Sequence, residues 1–221
     1  AVERAIAALA ADRRIPDTTA SLPHPYTVAD AEWFVRYVTR PDADSEVWAI
    51  VRGGDQEVVG VLGLHAAGDP AVVELGYWVG VPFWGQGFAT EAARAALDHA
   101  FRDRSLEVVY ADHLTRNPAS HRVMEKLGMA VEGVRRRRLR KWGVLEDLCG
   151  HAILAEEIDQ GLLQQIFRGH VGQSVRSRAR EASARAQSPG DIAPSNASRS
   201  ALDSGSSSGG LGCSMFGFQP V

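Results

Sequence analysis

An α+β domain built around one mixed sheet is the fold class that the sequence predicts, and three observations predict it. Three β-branched runs, at 47–52, 57–66 and 72–79, follow one another with only short turn segments between them, the mark of antiparallel pairing. After them the apolar period changes: a glycine-bearing loop leads into a helical stretch, then a strand, a short helix and two more strands. That alternation is the order of crossover connections, so parallel and antiparallel pairs should share one sheet. The composition is globular, with 45% hydrophobic and 23% charged residues and a formal net charge of −3 over 221 residues.

Composition also excludes whole classes of function. No apolar run reaches the roughly 18 residues that a membrane span needs. The opening AVERAIAALAADRR carries charge throughout and has no uninterrupted apolar core, unlike a signal peptide. The two cysteines, Cys149 and Cys213, cannot build a disulfide framework or a cysteine-based zinc site. A reducing cytoplasm is the expected compartment, and no metal is expected. The basic residues are 22 Arg against 2 Lys, a skew that coding composition accounts for as well as function does.

The chain changes character near its last quarter. Residues 161–221 contain 12 Ser, 9 Gly and 3 Pro, and stretches such as AQSPGDIAPSNASRS bury too little apolar area to offset the entropy of ordering. Charge divides the same way: 18 basic and 24 acidic side chains in 1–160, then 6 and 3 in 161–221. One folded domain over 1–158 and a Ser/Gly/Arg-rich disordered tail over 159–221 are expected.

Each element has its own signal. Residues 2–11 are rich in Ala and Leu, and Ile6 and Leu9 share a face, which predicts a helix. After Pro16 comes a loop that contains Pro23 and Pro25. Thr27 with Asp30 three positions on makes a capping box for a second helix, whose Trp33, Phe34, Tyr37 and Val38 fall on one apolar stripe. Gly53-Gly54-Asp55 closes a hairpin between the first two strands. A helix is expected at about 90–103, a strand at 106–114, a short helix from Pro118 to Leu127, and strands near 130–141 and 144–155.

The segment with most chemistry in it is Trp84-Gly85-Gln86-Gly87-Phe88-Ala89-Thr90-Glu91, between a strand and a helix. A first helical turn leaves backbone N–H groups without partners, and the helix dipole adds positive charge there. Two glycines and an alanine remove the side chains that would hold a phosphate away from those groups. An anion-binding turn, suited to a pyrophosphate, is the reading; a tight turn without a ligand is the alternative. No Gly-Lys-Ser/Thr follows, so it is not a Walker loop, and a third glycine and a downstream strand-end acid are absent, so it is not a dinucleotide fingerprint. A second motif, Asn117-Pro118-Ala119-Ser120-His121-Arg122-Val123-Met124-Glu125-Lys126-Leu127-Gly128-Met129, places Asn117 as an N-cap and Gly128 as a left-handed C-terminal residue.

Together these segments resemble the GNAT superfamily of acetyl-coenzyme A-dependent N-acetyltransferases. The sequence is most similar to the branch that acetylates the N-terminal alanine or serine of ribosomal proteins, through Leu75-Gly76-Tyr77-Trp78, the Trp84 loop, the Asn117 motif, and Gly143 with Asp147. The resemblance covers roughly 1–156. That branch opens with a strand of the form L-x-T-x-R-L-x-L-R; this chain begins inside the following helix, so the domain is expected to lack that strand.

The resemblance implies a fold in which two parallel strands splay around acetyl-CoA. It implies that Trp78, Val79 and Val81 run beside the pantetheine arm, that Gln86, Gly87, Ala89 and Thr90 hold the pyrophosphate, and that Asn117 bonds the arm or a water beside it. Many superfamily members donate a proton from a tyrosine where this chain has Met124, which has no proton to give. Ser120 is the available hydroxyl and is expected to orient the thiolate. Glu74 is the candidate base, with an uninvolved carboxylate on a sheet edge as the alternative reading; His113 and His151 are alternative bases. Acetyl transfer needs a neutral amine, a polarised thioester carbonyl and a proton for the thiolate. Direct attack within a ternary complex is expected, since no Cys or Ser carries the His pattern of a nucleophile.

The run Arg135–Lys141 (RRRRLRK) reads either as a nucleic-acid patch or as a strand with alternate residues in solvent. The acidic domain around it weighs against nucleic acid, and contact with an acidic peptide or the cofactor's 3′-phosphate is the better use. A protein N-terminal amine is the expected acceptor, a small-molecule amine such as an amino acid or antibiotic the alternative, and a non-catalytic acetyl-CoA-binding module the rival outside enzymes. A monomer or homodimer is expected.

Overall fold

The computed structural model describes residues 1–158; the expected tail lies outside the described residues. Helices α1 (Val2–Ala10), α2 (Arg14–Thr18) and α3 (Val28–Val38) precede strands β1 (Ser45–Val51), β2 (Val58–Ala66) and β3 (Val72–Val79). A short 3-10 turn (Val81–Phe83) leads to α4 (Phe88–Asp98), which ends in a wider turn over His99–Asp103. Then come β4 (Val108–Leu114), α5 (Pro118–Lys126), β5 (Ala130–Lys141) and β6 (Val144–Leu154). The sheet order is β1-β2-β3-β4-β6-β5. Only β3 and β4 pair in parallel; the other four ladders are antiparallel. The predicted mixed sheet is observed. Among the described residues no helix is long and apolar enough to cross a membrane.

Two apolar layers clamp the sheet. On one face Leu62, Leu64, Leu75, Val79 and Val109 pack with Ala93, Ala96 and Leu97 of α4 and Met124 of α5. On the other, Val61 meets Ile6, Ala7 and Ala10 of α1 and Ala31 of α3. Alternation along β2 and β3 explains the division, because successive side chains point to opposite faces.

Local signals hold where they act within a few residues. Thr27 Oγ1 accepts from the Asp30 amide at 3.3 Å and Asp30 Oδ2 accepts from the Thr27 amide at 2.7 Å, the capping box expected. Four readings change. The chain just after Pro16 is not yet loop, since α2 runs from Arg14 to Thr18; Pro16 sits in its first turn, where the missing N–H is not needed. The apolar stripe of α3 is not buried whole: Trp33 and Tyr37 remain 43% and 38% exposed. Their rings stack on each other 5.0 Å apart, and Arg40 covers Tyr37. Helix α4 starts at Phe88, two residues early, because Gly87 at φ +91° turns the chain directly into it. Finally β5 does not alternate regularly: its register slips between Arg135 and Leu139, where Arg137 has φ +52°.

Candidate active site

Strands β3 and β4 share only three register pairs, Val72 with Val108, Val73 with Val109 and Glu74 with Tyr110. Beyond them β3 stays paired to β2 as far as Val79, and β4 stays paired to β6 as far as Leu114. The two strands therefore part from each other while each keeps its outer neighbour. Backbone groups along Leu75–Val79 that point away from β2 face the gap, and buried backbone groups require partners. A cavity of about 620 Å³ fills the opening. Its lining includes Trp78 and Glu74 from one sheet face and Tyr77 and His113 from the other, so it runs through the sheet where the strands part.

At one end lies the glycine turn. Gly85 and Gly87 have φ of +74° and +91°, left-handed values that an L-residue adopts only at a cost of about 1–2 kcal/mol. A Cβ on either would meet nothing within 4 Å, so backbone conformation, not crowding, requires glycine there. Gly87, the N-cap of α4, has no side chain to occupy the first-turn amides, which leaves them for an anion. Gly87, Ala89 and Thr90 line the cavity. The Trp84 indole Nε1 donates to the Val79 carbonyl at 2.6 Å, tying the turn to the end of β3. The residues fit a pyrophosphate-bearing cofactor on backbone donors.

In the gap stands a hydroxyl pair. Tyr77 Oη and Ser120 Oγ are 2.8 Å apart, and the tyrosine hydroxyl also donates to the Ser120 carbonyl at 3.3 Å. Burial pushes the Tyr77 hydroxyl up to about 12, against a smaller lowering by Ser120. Ser120 is held by Asn117, whose Oδ1 caps α5 by accepting from the Ser120 amide at 3.2 Å. Asn117 Nδ2 donates to the Thr18 carbonyl at 3.4 Å. Met124 is buried in the core beneath α5.

On the opposite face Glu74 is only 6% exposed. It lies on the third of six strands, so the reading of an edge-strand surface carboxylate is overturned. Its carboxyl is raised to about 7, first by burial, then by the nearby Asp112 charge, with Arg135 and a hydrogen bond from Tyr110 pulling the other way. Asp112 is ion-paired to Arg135. His65, opposite Glu74 on β2, is depressed to about 4 by burial, and its ring lies over Gly63, where a Cβ would come within 2.6 Å of Nε2. Two buried carboxylates against one guanidinium make this side suited to an ammonium group.

The two ends of the basic run are engaged, whereas Arg136, Arg137, Arg138 and Arg140 between them are exposed. Arg135 is engaged by Asp112, and Lys141 is buried, its Nζ donating to the carbonyls of Ala20 and Leu22 at 3.4 and 3.3 Å. Trp142 Nε1 donates to Asp17 Oδ1 at 3.0 Å, and Arg116 bridges Asp17 and Glu146 at 3.2 and 2.9 Å. These contacts hold segment 17–22 over the cavity, which Thr18 to Leu22 line.

Of the residues singled out from sequence, Glu74, Trp78, Val79, Gly87, Ala89, Thr90, Asn117 and Ser120 meet at this one cavity. Val81 and Gln86 are outside its lining, and the Gln86 amide is turned back onto the Pro82 carbonyl at 2.9 Å. His113 lines the cavity, whereas His151 is fully buried outside it. Sequence reasoning missed the parts played by Tyr77, Asp112, His65 and Arg116. A strand tyrosine between Gly76 and Trp78 was the one available signal, since glycine beside an aromatic leaves room at a gap.

The acetyltransferase (GNAT) domain model matches residues 2–130. The "Probable N-acetyltransferase YjcK" of Bacillus subtilis is 32% identical over 134 residues, covering 59% of this chain and 72% of that protein. A proposed ribosomal N-acetyltransferase of the same organism, YdaF, is 31% identical over 104 residues, 47% of this chain and 57% of that protein. Among solved structures, Mycobacterium smegmatis RimJ in complex with CoA-disulfide superposes with a TM-score of 0.62 at 24% identity, covering 75% of this chain and 85% of that one. The splayed strands, the uncapped glycine turn and a family match spanning more than half of the sequence agree: this chain belongs to the GNAT acetyltransferase family and is an N-acetyltransferase.

Proposed function

We propose that the protein acetylates the α-amine of a protein N-terminus, with Glu74 as the base and the Tyr77–Ser120 hydroxyl pair on the thiolate side. The observation that carries this reading is the placement of Glu74. A buried carboxylate raised to about 7 shares one cavity with the anion-binding turn and the hydroxyl pair. When bound, acetyl-CoA supplies an acyl thioester as acetyl donor, with Gly87, Ala89 and Thr90 holding its phosphates on backbone amides. Glu74, through a water, takes the proton that makes the amine nucleophilic; a base near neutrality suits that task. Asp112 adds negative potential that draws the ammonium in, and Arg135 limits how far it lifts Glu74. Ser120 orients the departing sulfur, and Tyr77, behind it, supplies a proton through the 2.8 Å contact. Direct attack needs no covalent enzyme intermediate.

The N-terminal acceptor is supported by the likeness to YdaF and by segment 18–22, whose polar Thr18, Thr19 and Ser21 line the same cavity. Thiol release from acetyl-CoA, measured over a panel of N-terminal peptides beginning Ala or Ser and of small amines including amino acids and polyamines, tests the reading. Turnover with peptides supports it; turnover confined to small amines replaces it with the small-molecule alternative. Cofactor binding without any thiol release would overturn catalysis itself.

A further inference from the structure

We propose that His113, His121 and His151 form a binding site for a divalent transition-metal ion of the zinc, cobalt or nickel kind. Sequence spacing hides these residues from one another; the fold gathers them. β4 and β6 are antiparallel neighbours with His113 opposite Cys149 and His151 opposite Ala111, which puts both imidazoles on the α5 side, and His121 reaches them from α5. The ring centroids are 5.5 Å (His113–His121), 5.2 Å (His113–His151) and 5.1 Å (His121–His151) apart. One ring nitrogen from each lies within 4.8 Å of the others.

One of the three nitrogen pairs, hydrogen-bonded as the structure stands, already has the spacing of a tetrahedral site. His121 Nδ1 and His151 Nε2 are 3.2 Å apart; two imidazole nitrogens each about 2.0–2.1 Å from a tetrahedral zinc stand about 3.3 Å from one another. The remaining ring points the same way. His113 Nδ1 is 2.8 Å from the Leu114 carbonyl, so that nitrogen carries the proton and Nε2 keeps its lone pair. His113 is 7% exposed, and Nε2 is buried with no hydrogen-bond partner among the described residues, a condition that costs about 1–3 kcal/mol when nothing offsets it. A metal ion would use that lone pair.

Outer partners are in place for two of the three rings, while His151 Nδ1 is buried without a hydrogen-bond partner among the described residues. Ligating imidazoles commonly give their second nitrogen to a carbonyl or carboxylate, which fixes the ring. Here His113 has the Leu114 carbonyl, and His121 Nε2 lies 3.5 Å from Glu125 Oε1. Metal ligation needs the neutral imidazole. His121 is partly exposed, which gives an ion a way in and leaves a fourth position for water. Three ligands and an open position match zinc and its neighbours better than calcium or magnesium, which take oxygen. The ion would tie α5, whose Ser120 immediately precedes His121, to β4 and β6.

The test uses the full chain, stripped with a chelator and then titrated with Co2+. A saturable visible absorption of the four-coordinate type, at one ion per chain and displaced by Zn2+, is expected. Zn2+ should also raise the Tm of the same protein. His121→Ala, at a partly exposed position that the fold does not need, should weaken Co2+ binding on the order of a hundredfold, and Glu125→Gln about tenfold, while His24→Ala leaves it intact. Circular dichroism of His121→Ala confirms that the variant is folded. No saturable cobalt spectrum, or one that survives unchanged in His121→Ala, overturns the proposal.

Discussion

Glu74 on β3 and Tyr110 on β4 are the last register partners that the two parallel strands share. One residue further the strands separate, so the Glu74 carboxylate is buried in the sheet and yet borders the cavity. A base must be desolvated enough to hold a proton near neutrality and open enough to exchange it. The edge of the splay meets both needs.

The raised Glu74 carboxyl has two consequences of definite sign. As the base, it is active when deprotonated, so kcat/KM should rise with pH through about 7. In Glu74→Gln that limb should vanish and the rate at pH 8 fall by on the order of a hundredfold or more, with acetyl-CoA affinity by calorimetry unchanged. Stability moves the other way. Between the ordinary 4.5 and about 7 the folded chain keeps a proton that the unfolded chain has lost, so stability falls as pH rises through that window. Glu74→Gln should therefore be more stable than the parent at pH 8, by up to about 3 kcal/mol, and gain little at pH 4.5. Arg135→Met removes the one nearby cation, and should move the activity limb upward; an unmoved limb would show that Arg135 does not act on Glu74.

The hydroxyl pair should behave as a unit. Tyr77→Phe and Ser120→Ala are each expected to lower kcat about tenfold to a hundredfold with little change in acetyl-CoA binding. The double variant should be no worse than the poorer single one, because each hydroxyl acts through the other. Additive losses in single-turnover measurements would separate their roles.

Gly87→Ala tests the turn. The left-handed φ of +91° should cost about 1–2 kcal/mol in an alanine variant, read as a lowered Tm. Gly87→Glu adds charge against the phosphates and should abolish acetyl-CoA binding by calorimetry. Retained affinity in the glutamate variant would remove this turn from the cofactor site.

Lys141 makes a prediction about pH and the segment it holds. Burial lowers its ammonium to about 8, so below that pH the folded chain carries the charge at a constant penalty. Between about 8 and the ordinary 10.5 the unfolded chain holds the proton longer, and stability contributed by this residue rises with pH. Urea unfolding of the parent and of Lys141→Met at pH 7 to 10 should show the difference between them shifting toward the parent across that window. A constant difference would mean that Lys141 titrates normally.

What the sequence determined by itself is local. Thr27 with Asp30, Gly87 and Asn117 each act on backbone groups within three residues, so composition and spacing suffice to place the capping box, the turn into α4 and the start of α5. The apolar runs likewise specify six strands, because a period of two is a property of the chain alone. Only the tertiary structure decided where β3 and β4 stop pairing. That choice buries Glu74 at the edge of the gap and brings Tyr77 to Ser120 across 43 residues, while the register of β4 with β6 and the packing of α5 draw His113, His121 and His151 together. Tertiary structure also divided Arg135–Lys141: an ion pair holds Arg135 to Asp112 and Lys141 is buried under segment 20–22, while Arg136, Arg137, Arg138 and Arg140 stay exposed. Burial and charge proximity depend on which residues become neighbours, and neighbours far apart in sequence are fixed by strand register and helix packing, which no short stretch of chain encodes.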